Sequence, residues 1–414
     1  MKGNSYRELW SRISVAFLWL VLGAVFFAVN PGAEAQTFKT ILSFNGTTDG
    51  AYPSAGFVKD ASGNLYSTTQ AGGVFNFGNG GTVYKLDRQR RETVLYSFCA
   101  LTNCADGGVP FGGVTLDSAG NLYGAASGGG KYGFGAVFKL DPSGKETVLY
   151  SFQGMARNSD GSSPGYGNLV RDAAGNLYGT TLNGGLPCSQ SAAGCGVIYK
   201  INPAGSESII HRFTGGADGG VPPTNLIADA GGRLYGTTSW GGANNCGEIF
   251  KVSAQEQSTG IRHLTVLYSF NCETDAWFPN AGLIRDAHGV LYGTGAFGGT
   301  WSRGGVFKFD PSTGVETLLY SFQGGTSDGC APSLSSLILD AQGNLYGTTP
   351  NCGATGYGDI FKLDPSGNET VLYNFENGGI PQGTMLREAA GDFIGTTYFD
   401  ANFACCGTVF KFTP

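Results

Sequence analysis

The phrase Leu-Tyr-Ser-Phe and its close variants end at Phe44, Phe98, Phe152, Phe213, Phe270, Phe322 and Phe375, at intervals of 52 to 61 residues. A period of this length points to stacked supersecondary units, because one unit cannot bury its apolar face alone. Seven units of about 54 residues account for everything from residue 36 to residue 414, which leaves no stretch for a second domain. The order within a unit is constant. An Asp-Gly loop leads to a short apolar segment and a turn, then Asn-Leu-Tyr-Gly-Thr-Thr as at 176–181 and a Gly-Gly loop. Val-Phe-Lys-Leu as at 137–140, a second turn and the recurring phrase complete it. Each unit therefore spells four strands.

The turns carry their own chemistry. Asp141-Pro142-Ser143-Gly144, Asn202-Pro203-Ala204-Gly205 and Asp364-Pro365-Ser366-Gly367 place Pro where a type I turn fixes φ, with Gly where the next residue must be left-handed. Asp117 to Asn121 and Asp172 to Asn176 repeat a second short turn. Glycine supplies 70 of 414 residues, charged residues only 14% and hydrophobic ones 41%. That composition excludes long helices, coiled coil and disorder. Segments such as Thr93 to Phe98 do not alternate polar with apolar, as expected for sheets covered on both faces. The fold class that follows is all-β, a seven-bladed β-propeller of four-stranded blades. A β-solenoid is the alternative, and a period built of hairpins suits it less well. The seventh unit ends after its third strand, Thr408 to Phe412, while Thr37 to Phe44 is a fourth strand without a unit. Residues 37–44 are therefore predicted to complete the last blade and close the ring.

Residues 1–35 read as a signal peptide. Lys2, Arg7 and Arg12 precede an apolar run from Ile13 to Val29, and Ala33-Glu34-Ala35 offers a cleavage site before Gln36. A retained membrane anchor is the alternative, since the run sits at the lower edge of spanning length. The mature chain, residues 36–414, is expected to be an exported monomer with no membrane span, extracellular or periplasmic. A net charge of -6 and a lone basic cluster at Arg88 to Arg91 leave no electrostatic footprint for nucleic acid.

All ten cysteines follow the cleavage point, and an even number in an exported chain reads as disulfides more readily than as metal ligands. Close spacing suggests Cys99 with Cys104 and Cys188 with Cys195. Strand adjacency suggests Cys246 with Cys272 and Cys330 with Cys352, leaving Cys405 beside Cys406 as a strained vicinal pair. In a propeller all ten fall in loops of one face, those joining strands two and three or one blade to the next. That face, with the channel mouth, is where a site is expected.

Three sets of candidates arise. Asp49, Asp106, Asp160, Asp218, Asp275 and Asp328 each stand four residues before a Pro, with Asn377 in the seventh unit. They would ring the channel mouth and bind Ca²⁺ or sugar hydroxyls, or each would accept hydrogen bonds from its own loop. The aromatic residues Tyr132, Phe134, Trp240, Trp277, Trp301, Tyr357, Tyr398, Phe399 and Phe403 lie in the variable loops, where rings offer stacking surfaces for carbohydrate or pack against neighbouring loops. His211, His263 and His288 occupy different unit positions, and no nucleophile with base and orienting acid, no His-Glu-x-x-His and no phosphate cradle can be picked out. Arg171, Arg285 and Arg387 share one position, as in the arginine clusters of sialidases, but toward the short-turn face, where pairing with the turn is expected.

The unit Asp-Gly, Gly-Asn-Leu-Tyr-Gly-Thr-Thr, Gly-Gly, Val-Phe-Lys-Leu resembles the tandem repeat of bacterial exported proteins called choice-of-anchor GloVer-containing proteins. The likeness covers essentially all of the mature chain. It implies export, tandem repeats and a variable carboxyl-terminal anchor, of which only the anchor is not evident here, and it implies no assigned activity. Gly-Asn-Leu-Tyr-Gly-Thr-Thr is also similar to the repeats of two-component regulator propellers, which are extracellular sensor domains. Together these point to a non-catalytic binding or scaffold module for a polysaccharide or cell-envelope protein, with no cofactor beyond Ca²⁺. The alternatives are a glycan-active lyase or hydrolase using Asp106, Asp218, Asp275 and Asp328, and a purely structural surface protein.

Overall fold

The computed structural model describes residues 36–414 except 76, 77, 79, 155–159, 189, 190, 224, 257–259, 334 and 401–404. The expected signal peptide at 1–35, and Phe403, lie outside the described residues. Apart from one 3-10 turn at Thr102–Cys104, all regular structure among the described residues is β.

Each Leu-Tyr-Gly-Thr-Thr phrase forms the second strand of an antiparallel four-stranded sheet, and seven such sheets make the ring of a β-propeller. Blade 4 is representative, with Ile227–Ala228, Leu234–Thr238, Glu248–Val252 and Leu264–Ser269 as strands one to four. The glycine of the phrase has a packing reason. Gly236 lies opposite Phe250 on the third strand, and a Cβ there would stand 2.6 Å from the Phe250 ring. Blades then stack through apolar side chains from both neighbours, as in Val83 and Phe98 of blade 1 against Val114, Leu122, Phe138 and Leu140 of blade 2.

The aromatic residue that closes each repeat phrase anchors its blade. Phe98, Phe152, Phe213, Phe270 and Phe322 are fully buried. Each donates its N–H to the glycine before the third strand, Phe270 to Gly247 at 3.0 Å. Gly247 has φ 89° and a Cβ would meet the Thr238 carbonyl at 2.3 Å, so only glycine fits there.

Ring closure follows the sequence expectation. Blade 7 consists of Pro381–Arg387, Phe393–Thr397, Thr408–Thr413 and, as its outer strand, Thr37–Ser43. Phe44 donates its N–H to Gly407 at 3.1 Å, and Phe38 stacks on Tyr373 of blade 6 with centroids 4.1 Å apart.

Two faces result. On the short-turn face Arg171 lies over the Tyr123 ring at 5.4 Å and 3.9 Å from Asp117 of the neighbouring blade. Arg387 repeats the arrangement with Tyr346 and Asp340. The long-loop face is knitted in six blades by the residue before the blade's Pro, held left-handed even where it is Val109 or Val221, both at φ 54°. Left-handed backbone costs such a residue about 1–2 kcal/mol. Hydrogen bonds in both directions hold it: Val221 donates to Cys195 of the preceding blade and accepts from Ser239 of its own. Disulfides join Cys99 to Cys104, Cys188 to Cys195, Cys246 to Cys272, Cys330 to Cys352 and Cys405 to Cys406, all on this face.

Candidate functional site

The carboxylates singled out from the repeat do not open onto the channel. Asp106 and Asp160 are wholly buried, and Asp275 and Asp328 nearly so. Asp106 accepts from the Tyr96 hydroxyl at 2.8 Å and from the Ala100 N–H at 2.9 Å. Tyr150, Tyr268 and Tyr320 donate likewise to Asp160, Asp275 and Asp328. Asp49 accepts from the Asn45 N–H. Each Asp accepts hydrogen bonds from the loop that brings the chain into its blade, the second of the two arrangements open from the sequence. Among the described residues no group of three or more His, Cys, Asp and Glu is placed to hold a metal ion.

Blade 4 departs from the pattern. His211 replaces the tyrosine and its Nε2 lies 2.9 Å from Asp218. Burial raises the Asp218 carboxyl, but the His211 and Thr214 hydrogen bonds outweigh it and hold it below its ordinary value. Beneath it Glu248, fully buried, is pushed up to about 7 by burial and then by the Asp218 charge, while Ser269 donates to it at 2.9 Å. In blade 6 Asp359, also fully buried, is pushed up to about 7, chiefly by burial.

The aromatic residues divide. Trp240 meets Phe278 edge-on at 4.9 Å, and Trp277 lies 5.2 Å from Phe297, which is itself 5.4 Å from Phe278. One four-ring ridge therefore spans the tops of blades 4 and 5. Phe297 and Trp301, in the same blade-5 loop region, are 44% and 56% exposed. Tyr132 and Tyr357 stand on blades 2 and 6, Tyr132 beneath the Lys131 ammonium and Tyr357 against the blade 6–7 core. Sequence reasoning missed Phe278 and Phe297; the signal available was their proximity to Trp277 and Gly298 in the two loops of a single blade.

A second arrangement lies on the axis. The first strands enclose a channel cavity of about 280 Å³ lined by Gly112, Asn168, Asn225, Ser336 and Thr384 among others. At its mouth a further cavity of about 180 Å³ is bounded by Ser54, Gln70, Phe111, Tyr166, Gln382 and Tyr398. Phe111 and Tyr166 stack at 4.4 Å, and Tyr398 stacks on Tyr52 at 4.8 Å. Burial, then the Tyr398 hydroxyl, pushes the Tyr166 phenol up; burial and the Tyr52 hydroxyl do the same to Tyr398. Among the described residues no Asp, Glu, Lys, Arg or His lines either cavity.

The repeat could have revealed this mouth. Three residues before Phe57, Val114, Leu169, Leu226, Leu283 and Met385 stand Ser54, Phe111, Tyr166, Pro223, Asn280 and Gln382, a different side chain in each of these six blades.

Comparison with known proteins places the chain. No curated protein sequence matches it. Among solved structures a streptogramin B lyase superposes with a TM-score of 0.56 at 15% identity, over 91% of this chain and 97% of that one. The virginiamycin B lyase of Staphylococcus aureus gives 0.57 at 13%, over 92% and 99%. The extracellular domain of a one-component system from B. thetaiotaomicron gives 0.54 at 12%, over 90% of this chain and 39% of that one. Identities this low establish a shared propeller and nothing about activity. The sequence itself matches the Gloeobacter/Verrucomicrobia repeat over residues 22–186, 155–335 and 265–414. With matches running through the whole propeller, this chain belongs to the Gloeobacter/Verrucomicrobia repeat family.

Proposed function

We propose that this protein is an exported, non-catalytic binding module whose disulfide-braced face takes hold of a polysaccharide, or of a cell-envelope partner that displays one. The observation that carries this is the ridge of Trp240, Phe278, Trp277 and Phe297, with Trp301 exposed beside it. Planar rings presented in a row suit the apolar faces of sugar rings, and a disulfide at its foot, Cys246 to Cys272, fixes the loop beneath Phe278. The Phe278 N–H bonds the Cys246 carbonyl at 3.3 Å, which ties ridge to brace. Preorganised rings of this kind lose little entropy on binding.

The test is adsorption of the mature protein to a panel of insoluble polysaccharides. At least one should retain it, and Trp277→Ala and Phe297→Ala should each weaken retention about tenfold, or ~1.4 kcal/mol. Retention unchanged in both variants, or none on any polysaccharide, would refute a glycan-binding ridge.

The second reading is a lyase or hydrolase working through Asp106, Asp218, Asp275 and Asp328. One observation favours it: blade 4 alone joins a histidine, His211, to its Asp, with Glu248 below. Against it, Glu248 is shut off from solvent and no cavity of the channel reaches it. Release of soluble products that Asp218→Asn abolishes would establish this reading in place of the first.

A further inference from the structure

We propose that the channel mouth is a second binding site, distinct from the aromatic ridge, that holds a single uncharged sugar unit between Tyr166 and Tyr398 with the Gln382 amide as its principal hydrogen-bonding group. For its ligand class this rests on the glycan-binding reading above; for its place in the fold it does not.

Four observations converge. One position of the repeat differs from blade to blade, Ser54, Phe111, Tyr166, Pro223, Asn280 and Gln382 in six of them, and four of these, Ser54, Phe111, Tyr166 and Gln382, border the mouth. Second, the groups that bound the cavity are free to bind. Among the described residues the Tyr166 and Tyr398 hydroxyls and the Gln382 side-chain amide make no hydrogen bond within the protein. Gln70, by contrast, is spent on structure, its Nε2 donating to the Ser54 hydroxyl. Third, the rings are held rigid from behind, Tyr166 by Phe111 and Tyr398 by Tyr52. They present stacking faces without having to be ordered by the ligand. Fourth, among the described residues the lining carries no charged side chain in either the mouth or the channel below it.

That combination selects a ligand chemistry. An anion or cation would be desolvated at the mouth with no counter-charge, which is costly. A purely apolar ligand would leave the two phenols and the amide unpaired. A neutral ring bearing hydroxyls satisfies both: its C–H face stacks on tyrosine, and its hydroxyls exchange hydrogen bonds with phenol and amide, each able to donate and accept. The size agrees, since mouth and channel fall at or below the lower end of the roughly 300–1,000 Å³ typical of small-molecule sites, enough for one ring and its substituents. Substituents that pass the mouth would meet Asn225, Ser336 and Thr384 in the channel.

The experiment titrates the mature protein with soluble D-glucose, D-mannose, D-galactose, D-xylose and their β-1,4-linked tetramers, with galacturonate and glucosamine as charged counterparts, read by calorimetry and ligand-observed NMR. Gln382→Ala and the double variant Tyr166→Phe, Tyr398→Phe remove hydrogen-bonding groups while leaving the stacked rings in place, so unchanged melting temperatures are expected of both. The proposal expects millimolar or tighter binding of at least one neutral sugar, weakened about tenfold or more in each variant, with the charged sugars bound more weakly. It is overturned if no neutral sugar binds, if binding is unaffected by both variants, or if charged sugars bind equally well. Polysaccharide retention through Trp277 tests the ridge separately: retention with an inert mouth overturns the mouth site alone, while a mouth that binds sugar without retention on any polymer supports it and overturns the ridge.

Discussion

Glu92, Glu146 and Glu207 each open an outer strand and Glu316 is the second residue of one, and burial, followed by the charge of the Asp at the head of the same blade, pushes each carboxyl up to about 7. Glu369 reaches about 8 for the same reasons. Each has one oxygen, Oε1, buried without a hydrogen-bond partner, as suits a carboxyl that keeps its proton. The consequence for stability has a definite sign. The folded chain holds these protons up to about pH 7, whereas the unfolded chain releases them near the ordinary value of 4.5. Stability from this source is therefore complete below pH 4.5 and is lost as pH rises toward 7. Because these groups retain partial contact with solvent, each contributes modestly. Glu316→Gln is expected to flatten the fall in melting temperature between pH 5 and pH 8 while leaving the value at pH 5 nearly unchanged. An identical slope in wild type and variant would show that Glu316 ionises normally in the fold.

Among the elements, the outer strand Thr37–Ser43 has the largest leverage, because it is the one strand supplied to its blade from the far end of the chain. It pairs with Thr408–Thr413, and its Phe38 ring packs on Tyr373, Phe375 and Phe410. Its removal would expose the edge of Thr408–Thr413 and the apolar seam between blades 6 and 7, an open invitation to edge pairing with other chains. A variant lacking residues 37–44 is expected to lose roughly 5 kcal/mol or more, comparable with the whole stability of a typical domain. It should aggregate or melt far below wild type in a thermal scan. Wild-type melting of the truncated chain would mean that the ring does not depend on this closure. The disulfides act differently: all five tie loops on one face, so they order the surface that carries the ridge rather than the ring itself.

At the scale of the whole molecule the two sets of carboxylates oppose each other. Turn residues such as Asp117, Asp172 and Asp340 are held below the ordinary value of 3.8 by Asn and Tyr hydrogen bonds that outweigh their burial. Their contribution is present above that pH and lost below it. Combined with the glutamates, this predicts maximal melting temperature in a mildly acidic window, about pH 4.5 to 6, with decline on both sides; a maximum near pH 8 would contradict it. The blade count, the hairpins and the closing strand were all readable from the sequence, because each rests on a local pattern: the 54-residue period, Asp-Pro-Ser-Gly turns, and an orphan Leu-Ser-Phe at residues 42–44. Repetition made the local signal legible seven times over. The candidate site was legible only in part. Trp240, Trp277 and Trp301 were visible as loop aromatics, but the union of Trp240 with Trp277 through Phe278 and Phe297 depends on how two loops of blade 5 pair. The repeated Asp residues looked like a ring around the axis, yet whether a carboxylate faces a channel or its own loop is decided by which donors surround it, and these come from tyrosines seven to ten residues upstream. Sequence by itself therefore determined the architecture, since periodic hydrogen-bonding and apolar patterns admit one way to close. Only the tertiary structure decided which side chains border the axial mouth, because Tyr166, Gln382 and Tyr398 come from distant parts of the chain, and burial and distance between such residues are properties of the closed ring alone.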